Sequence, residues 1–370
     1  MSVSILPYRP SGSSFWVAAP PLQPGRFALQ VVATSASGVV FLALVTPLVG
    51  ALVRLRANYA PRRVQLPTDA SATEEGEPGP VARGRTSYFG MLKRVHRIEG
   101  WAGMYKGIMP SIIESVLSIV LVAPILSLAI TLIDRISTYP LNFHLGPTFA
   151  PFLVLIAVCL FVPLDIIKTR VITTPYKLPA FEPAVALRTI LSPSERARPA
   201  RLYALPGVIA ATLLENVVPL VMYPIWLVIL QLLDIHHAGA GAGGRSVLII
   251  LRYTACYFVG FWLLAFTATA LTVLNVLKIR LSLQRFPAPA PASDSEVDTE
   301  EGVDVALYSA TEDVLEVRTE SDHAQYTSLK DAYRSVLAEE GARALLRGWW
   351  ITALSVAPMF VLPLIPPLNF

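Results

Sequence analysis

The sequence predicts an all-α membrane protein with six transmembrane helices, and three observations predict it. First, 54% of the 370 residues are hydrophobic and only 15% are charged, whereas soluble domains carry about a quarter charged residues. Second, apolar stretches of about 20 residues, enough to span the hydrocarbon core of a bilayer, recur along the chain. Third, basic residues collect in alternate loops between these stretches. We expect helices because each helix satisfies its own backbone hydrogen bonds in lipid.

Six apolar stretches are long enough to cross a bilayer, at residues 27–53, 108–133, 147–167, 206–233, 246–277 and 349–367. An even number of crossings places both termini on the same side of the membrane. The N-terminal segment 1–26 is rich in Pro and Ser and lacks the basic start and apolar core of a signal peptide. We therefore expect the first apolar stretch to remain in the protein.

The basic residues predict the orientation. They follow the first, third and fifth stretches, whereas the other two loops contain almost no Lys or Arg. Because basic loops stay on one side of a membrane, the three long loops face one compartment, here called the loop side, and the termini face the other. The simplest interpretation of Arg170 and Arg280 is that they are topology anchors at the membrane interface.

Two segments of the chain repeat each other. Ser87–Gly107 aligns with Ser328–Gly348 without a gap, and each segment precedes an apolar stretch. Apolar residues at helical spacing predict a short amphipathic helix on the membrane surface in both. The matching residues are Glu99 with Glu340, Gly100 with Gly341, Lys106 with Arg347, and Gly107 with Gly348.

A second element ends each odd-numbered stretch and divides the chain into three units. It reads PLVGALVRLR from Pro47, PLDIIKTRVI from Pro163 and VLNVLKIRLS from Val273, with starts 116 and 110 residues apart. The predicted units are residues 27–136, 147–234 and 245–370. Each unit contains one span, a surface helix and a second span.

These elements resemble the motifs of the mitochondrial carrier family. PLDIIKTR matches the family's Pro-x-Asp/Glu-x-x-Lys/Arg-x-Lys/Arg motif in full, and EGWAGMYKG matches its Glu-Gly to Lys/Arg-Gly motif. The likeness covers about residues 27–360, although the middle unit's PSERARPARLYALPG retains little of the second motif. It implies three pseudo-symmetric helix hairpins with short surface helices, and solute transport across a mitochondrial membrane.

The resemblance implies a gate at the loop-side ends of the odd helices. In the family, the acid of each odd helix pairs with a base of the next, and the motif proline kinks the helix. Here one complete pair remains, Asp165 with Lys278, which we expect within about 4 Å in the closed state. The other gate positions are Val49 and Asn275 in place of acids, Leu52 in place of a base, and Lys168 without its acid; Pro47 and Pro163 are the motif prolines, and Val273 replaces the third.

The resemblance also implies a substrate site near the midplane. Seven residues after the second motif, on the even helices, lie Glu114 and Ser355; the weaker alignment of the middle unit gives Glu215. Carboxylates inside apolar helices are costly unless they face water or a partner. The functional interpretation is a site for a cationic or amino-bearing solute. The alternative is that each Glu lies near the interface or forms a structural pair, for instance with Arg252.

The third long loop carries an acidic insert at about residues 286–322, which opens PAPAPAS. Its composition predicts a disordered, solvated linker, with docking of a protein partner as the alternative. The net charge of +4 does not gather in one basic patch, so nucleic acid is not an expected partner. No phosphate loop, catalytic dyad, metal-ligand spacing or redox CxxC occurs, so neither an enzyme, a metal nor a cofactor is expected. The expected partners are membrane lipid and an unknown small-molecule solute.

The resemblance implies a carrier as the expected function, and a scaffold is the alternative. The first is a solute carrier that works by alternating access with degenerate gates. The second is a carrier fold that has lost transport and serves as a scaffold, similar to the family's divergent outer-membrane branch that acts in mitochondrial fusion. The missing ion pairs favour the scaffold, because alternating access needs two competing closed states. Inner-membrane residence would accompany the first function, and outer-membrane residence the second.

Overall fold

The computed structural model describes residues 24–61, 87–122, 124–125, 127–128, 131, 146–179, 182–233, 246–286, 306–309, 312–318 and 324–364. The chain divides into two compact units, Met1–Val45 and Thr46–Phe370. The first supplies the beginning of one helix, and the candidate site lies wholly in the second. Of the predicted N-terminal segment 1–26, all but the last three residues lie outside the described part.

A helix occupies each of the six predicted apolar stretches; helices are numbered here in chain order. Four are long: α1 Pro24–Ala57, α4 Gly146–Thr173, α7 Val208–Leu232 and α8 Ser246–Leu283. α3, Ile108–Leu117, continues into a π-helical turn at Ser118–Val122. α11, Trp349–Val361, continues into a 3-10 turn at Leu362–Leu364.

Length and composition identify an all-α membrane protein. Within the described ranges, three helical segments are long and apolar enough to cross a membrane, namely Val40–Ala57, Val208–Leu232 and Ile250–Leu283. Ile108–Val120 and Trp349–Leu364 are apolar but shorter. The same ranges contain no strand, and their extended backbone pairs at one isolated bridge between Tyr176 and Leu307.

Short helices lie in the chain between α1 and α3, between α4 and α7, and between α8 and α11. They are α2 Tyr88–Met104, α5 Pro183–Ile190, α6 Pro193–Ala197, α9 Leu329–Glu339 and α10 Ala342–Leu345, with a 3-10 turn at Pro199–Ala204. Ser87 caps α2 by accepting a hydrogen bond from the Gly90 amide, and Ser328 caps α9 by accepting one from the Asp331 amide. Such caps satisfy amide groups that the first helical turn leaves unpaired.

Glycines in the left-handed conformation begin α3, α7 and α11. Their φ angles are +89° at Gly107, +81° at Gly207 and +73° at Gly348. A Cβ atom on Gly207 would lie 2.6 Å from the Leu329 amide nitrogen, and one on Gly348 would lie 2.4 Å from a Leu52 methyl carbon. Only glycine suits these positions, because other residues would combine backbone strain with a steric clash.

Two buried clusters lie at the C-terminal ends of α1, α4 and α8. One joins α4, α7, α8 and α9 through residues such as Ile166, Val276 and Val336. The other joins α1, α2 and α8 through residues such as Leu55 and Met91. Burial of apolar side chains from several helices fixes the ends that carry the charged motif.

The second cluster includes part of the acidic insert, which differs from the predicted solvated linker. Val314 and Leu315 are only 7% and 9% exposed and pack in the cluster that contains Met91. The physical reason is that apolar residues lie between the acidic ones. A prediction from the average composition of the insert does not detect these few apolar residues. Residues 306–309 and 312–318 are called the strap below. Residues 287–305, 310–311 and 319–323 lie outside the described part.

Polar contacts connect the strap to segments of all three predicted units. They are Glu312 to Arg97 at 2.8 Å, the Tyr59 amide to the Glu316 carbonyl at 2.7 Å, the Lys177 amide to the Ala306 carbonyl at 2.9 Å, and Arg318 to Glu339 at 2.9 Å. The Lys106 ammonium also lies 4.2 Å from the centre of the Tyr308 ring, a cation–π distance.

Candidate functional site

Three arginines at equivalent motif positions are buried in the part of the chain that the structure describes. Arg54, Arg170 and Arg280 follow Pro47, Pro163 and Val273 by seven residues, and each is 6% exposed or less. Each forms an ion pair with a buried glutamate: Arg54 with Glu99 at 2.5 Å, Arg170 with Glu195 at 2.7 Å, and Arg280 with Glu340.

These pairs are also connected to one another through the backbone. At each pair, a basic side chain donates a hydrogen bond to a backbone carbonyl of the next unit. The residue that carries this carbonyl lies four positions after the buried arginine of its own unit. The bonds run from Lys106 to Thr174 at 2.7 Å, from Arg170 to Gln284 at 2.5 Å and from Arg280 to Asn58 at 3.0 Å. The three Arg–Glu pairs with Lys106 and Arg347 are called the ring of pairs.

Burial and charge act against each other in the ring. Burial lowers the pKa of the Lys106 ammonium to about 8, although the Glu99 carboxylate at 2.8 Å raises it. Burial also disfavours the charged form of Glu195, but hydrogen bonds from Arg170 outweigh this cost, and the pKa of Glu195 is lowered. Buried charges of this kind persist only when their partners are complete.

The ring changes two interpretations made from the sequence. Arg170 and Arg280 are buried members of ion pairs, a role that their interpretation as topology anchors did not include. Glu195 takes in the middle unit the place that Glu99 and Glu340 take in the others, although sequence alignment did not identify it. Its distance to Gly207 is twelve residues, whereas Glu99 precedes Gly107 by eight. A capping box, in which Ser192 and Glu195 bond reciprocally, was the available signal.

A second group of charged residues joins α3, α4, α7 and α8. Lys168 contacts Glu114 at 2.8 Å and Asp165 at 3.2 Å. Lys278 contacts Asp165 at 3.0 Å and Glu215 at 2.5 Å. Glu114, Lys168, Asp165, Lys278 and Glu215 are called the five-residue network, and their side chains are 15% to 31% exposed.

The network contains the predicted contact between Asp165 and Lys278. Both glutamates are also ion-paired there, Glu114 with Lys168 and Glu215 with Lys278. The structure thus brings the predicted substrate carboxylates and the predicted gate lysines into direct contact.

The first unit contributes apolar side chains at the matching positions. Leu52 packs in the cluster of α1 and α2, and Val49 is 41% exposed.

Two predicted site residues of the third unit are polar but uncharged. Asn275 donates to the Leu271 carbonyl at 2.9 Å, and the Ser355 hydroxyl donates to the Thr352 carbonyl at 2.8 Å. Both polar side chains therefore bond to their own helices.

The residues of the second motif fall into two groups, charged residues that form ion pairs and glycines that adopt an unusual backbone conformation. Glu99, Lys106, Glu340 and Arg347 belong to the ring, and Arg347 contacts Glu340 at 2.9 Å. The motif glycines adopt positive φ, +65° at Gly100 and +87° at Gly341. Pro47 lies inside α1, and Pro163 lies inside α4.

The described residues contain no group of three or more His, Cys, Asp or Glu side chains that could hold a metal ion. The carboxylates of the ring of pairs and of the five-residue network contact basic side chains. No known protein-family model matches the chain, and no curated protein is similar to it.

Proposed function

We propose that this chain is a transport protein of the mitochondrial carrier type, which exchanges a cationic or amino-bearing solute across a mitochondrial membrane by alternating access. Its six apolar helices cross the membrane as three hairpins, each with surface helices on the loop side. Two observations support this arrangement: a helix lies at every predicted stretch, and the ring of pairs passes from each unit to the next. The sequence repeat supports it independently.

The observation that carries the proposed activity is the double contact of each gate lysine. Lys168 contacts Glu114 and Asp165, and Lys278 contacts Glu215 and Asp165. The carboxylates at the predicted substrate positions therefore neutralise the same lysines that close the gate. A solute ammonium group that binds Glu114 or Glu215 competes with a lysine for its carboxylate.

This competition couples solute binding to opening of the gate. A ligand shifts a conformational equilibrium only by its different affinity for the two states. The network contains three carboxylates and two lysines, so its formal charge is 2 − 3 = −1. A cation compensates this charge and releases a lysine, whereas an anion adds to the charge. A cationic or zwitterionic solute is therefore the favoured class.

Uptake by purified protein in liposomes tests the proposal. Cadaverine and glutarate are matched probes, because they have carbon chains of the same length with ammonium or carboxylate ends. We expect saturable uptake of cadaverine and of L-lysine, and none of glutarate. Glu114→Gln or Glu215→Gln each removes a charge-assisted contact and should reduce uptake about tenfold or more.

The matched control is Glu182→Gln, because Glu182 is exposed at the start of α5 and forms no side-chain cap. It should take up cadaverine at the wild-type rate. Folded protein is compared by gel filtration, so that reduced yield is not counted as reduced transport. Absence of uptake of all three probes by folded wild-type protein, or preference for glutarate, contradicts the proposed function.

A membrane scaffold without transport is the second candidate, placed in the mitochondrial outer membrane. Two observations favour it: the apolar Val49 and Leu52 in the first unit, and the strap, which is bonded to segments of all three units. Fractionation of mitochondria with protease protection distinguishes the candidates. Inner-membrane residence supports the carrier, and outer-membrane residence supports the scaffold.

A further inference from the structure

Arg56, near the end of α1, is a buried cation outside the ring and the network. It is 5% exposed, and its guanidinium donates to the Thr352 hydroxyl at 2.6 Å and to the Arg347 carbonyl at 3.4 Å. Both acceptors are neutral, and no carboxylate of the described residues forms an ion pair with Arg56. A buried charge without a counter-ion in contact is costly. A more distant charge therefore has to compensate it.

Arg56 stands one helical turn beyond the point where the first unit lacks its gate base. Lys168 and Lys278 follow Pro163 and Val273 by five residues, and Leu52 follows Pro47 by five. Residues i and i+4 share one face of a helix. Arg56 therefore occupies the same face of α1 as Leu52, about 6 Å further toward the loop side.

Charge balance connects Arg56 with the five-residue network. The network alone has a formal charge of −1, and Arg56 is a buried single positive charge near the end of α1. Adding Arg56 brings the sum to zero. The hydrogen bond to Thr352 ties α1 to α11, three residues before Ser355. Arg56 thus supplies both the charge and the interhelical contact that Leu52 lacks.

We propose that Arg56 is the gate cation of the first unit and holds α1 against α11 when the loop side is closed. This inference rests on the proposed transport function. In the closed state, Arg56 balances the formal charge of the five-residue network, and its bond to Thr352 closes the sector where Val49 and Leu52 are apolar. A solute cation at Glu215 supplies the same compensation. Arg56 is then released, and α1 separates from α11 on the loop side.

Access of a thiol reagent from the loop side is the first readout. The probe is Ser355→Cys, in a background where Cys159 and Cys256 are replaced by Ala. If the contact of Arg56 with Thr352 closes the loop side, a charged, membrane-impermeant thiol reagent added on that side has to pass this contact to reach position 355. We expect Arg56→Met to label about tenfold faster than its parent without solute, a typical size for coupling between two states.

Moving the cation back by one turn is the decisive variant. Leu52→Lys combined with Arg56→Met restores a cation on the same face of α1, so labelling should return to the parent rate. Arg56→Lys should also retain the parent rate, whereas Arg56→Gln should not. Thr352→Val removes the hydrogen bond and keeps the charge, so it should accelerate labelling less than Arg56→Met.

Two results overturn the inference. In the first, Arg56→Met labels at the parent rate. In the second, Leu52→Lys fails to rescue Arg56→Met while Thr352→Val labels equally fast, which reduces Arg56 to a structural hydrogen bond. If Arg56→Met does not fold, the comparison of Arg56→Lys with Arg56→Gln decides in its place. Absence of uptake by the parent rejects the transport function, whereas the labelling rates decide the role of Arg56 separately.

Discussion

The ring of pairs and the five-residue network are built from the same kinds of side chain, but they differ in symmetry and in exposure. Each of the three predicted units contributes an Arg–Glu pair to the ring, and the ring carboxylates are 2% exposed or less. The network lacks a member from α1, where Val49 and Leu52 stand, and its side chains are 15% to 31% exposed.

This difference shows how burial limits sequence change in a charged site. Removing one partner of a fully buried pair leaves an uncompensated charge and costs about 3–5 kcal/mol. Partly exposed pairs contribute much less, about 0–1 kcal/mol, because water solvates a charge that has lost its partner. The network can therefore lose one unit's charges, and its carboxylates remain accessible to a competing cation. The ring cannot lose one unit's charges at such a low cost, and its carboxylates are closed to a competing cation.

The largest expected effect is the loss of a ring cation. Arg170→Gln leaves Glu195 buried without its counter-ion and removes the bond to the Gln284 carbonyl. We expect the free energy of unfolding to fall by about 3–5 kcal/mol, measured by denaturant titration in detergent micelles. The exposed Arg201→Gln is the control and should change it by less than about 0.5 kcal/mol. A loss below about 1 kcal/mol for Arg170→Gln would mean that the buried pairs of the ring stabilise the protein no more than the partly exposed pairs of the network do.

A pH dependence comes next. Burial lowers the pKa of Lys106 from 10.5 to about 8, so between these values the unfolded chain binds more protons than the folded one. The free energy of unfolding should therefore rise with pH across this window, by about 3 kcal/mol in total at about 1.4 kcal/mol per pKa unit. Thermal unfolding of wild type and Lys106→Met, at pH values from 8 to 10, isolates this contribution. The exposed Lys93→Met is the control, and a wild-type advantage that falls with pH would contradict the assignment.

Within the network, coupling energies should be smaller. A double-mutant cycle with Lys278→Met and Glu215→Gln should give a coupling of about 1 kcal/mol in unfolding free energy, since both side chains are partly exposed. Lys278→Met with Glu182→Gln, an exposed residue that has no ion pair with Lys278, should be additive within about 0.5 kcal/mol. A coupling above about 3 kcal/mol would mean that the network is as strict as the ring.

The smallest effect is expected between the strap and α2. Arg97 and Glu312 have side chains 67% and 48% exposed. A double-mutant cycle with Arg97→Gln and Glu312→Gln should give less than about 1 kcal/mol of coupling in low salt, and none that is measurable in about 1 M salt. A salt-independent coupling would show that this contact is shielded from solvent.

Local sequence patterns predicted the positions of the helices well. Hydropathy is a property of a short segment, so each apolar stretch between residues 27 and 367 marks a helix in the structure. The short helices α2 and α9 also lie in the repeated segments where amphipathic spacing predicts them. The contact of Asp165 with Lys278 was predicted from the resemblance to a family motif rather than from local chemistry.

Other features were hidden because they depend on distant residues. Glu195 escaped alignment because four additional residues separate it from Gly207, yet Arg170 reaches it across the fold. The strap was interpreted as a solvated linker because acids dominate its composition. Val314 and Leu315 become buried only because α2 lies beside them.

The sequence by itself determined which segments of this protein are apolar helices and which side chains carry charge beside them, because both depend on residues close together in the chain. The tertiary structure decided which charges meet. Glu114 and Glu215 bind Lys168 and Lys278, Arg56 reaches Thr352, and the ring closes through backbone carbonyls of neighbouring units. These contacts join residues from 54 to 296 positions apart, and no local pattern specifies such a pairing. Packing of the helix ends specifies it.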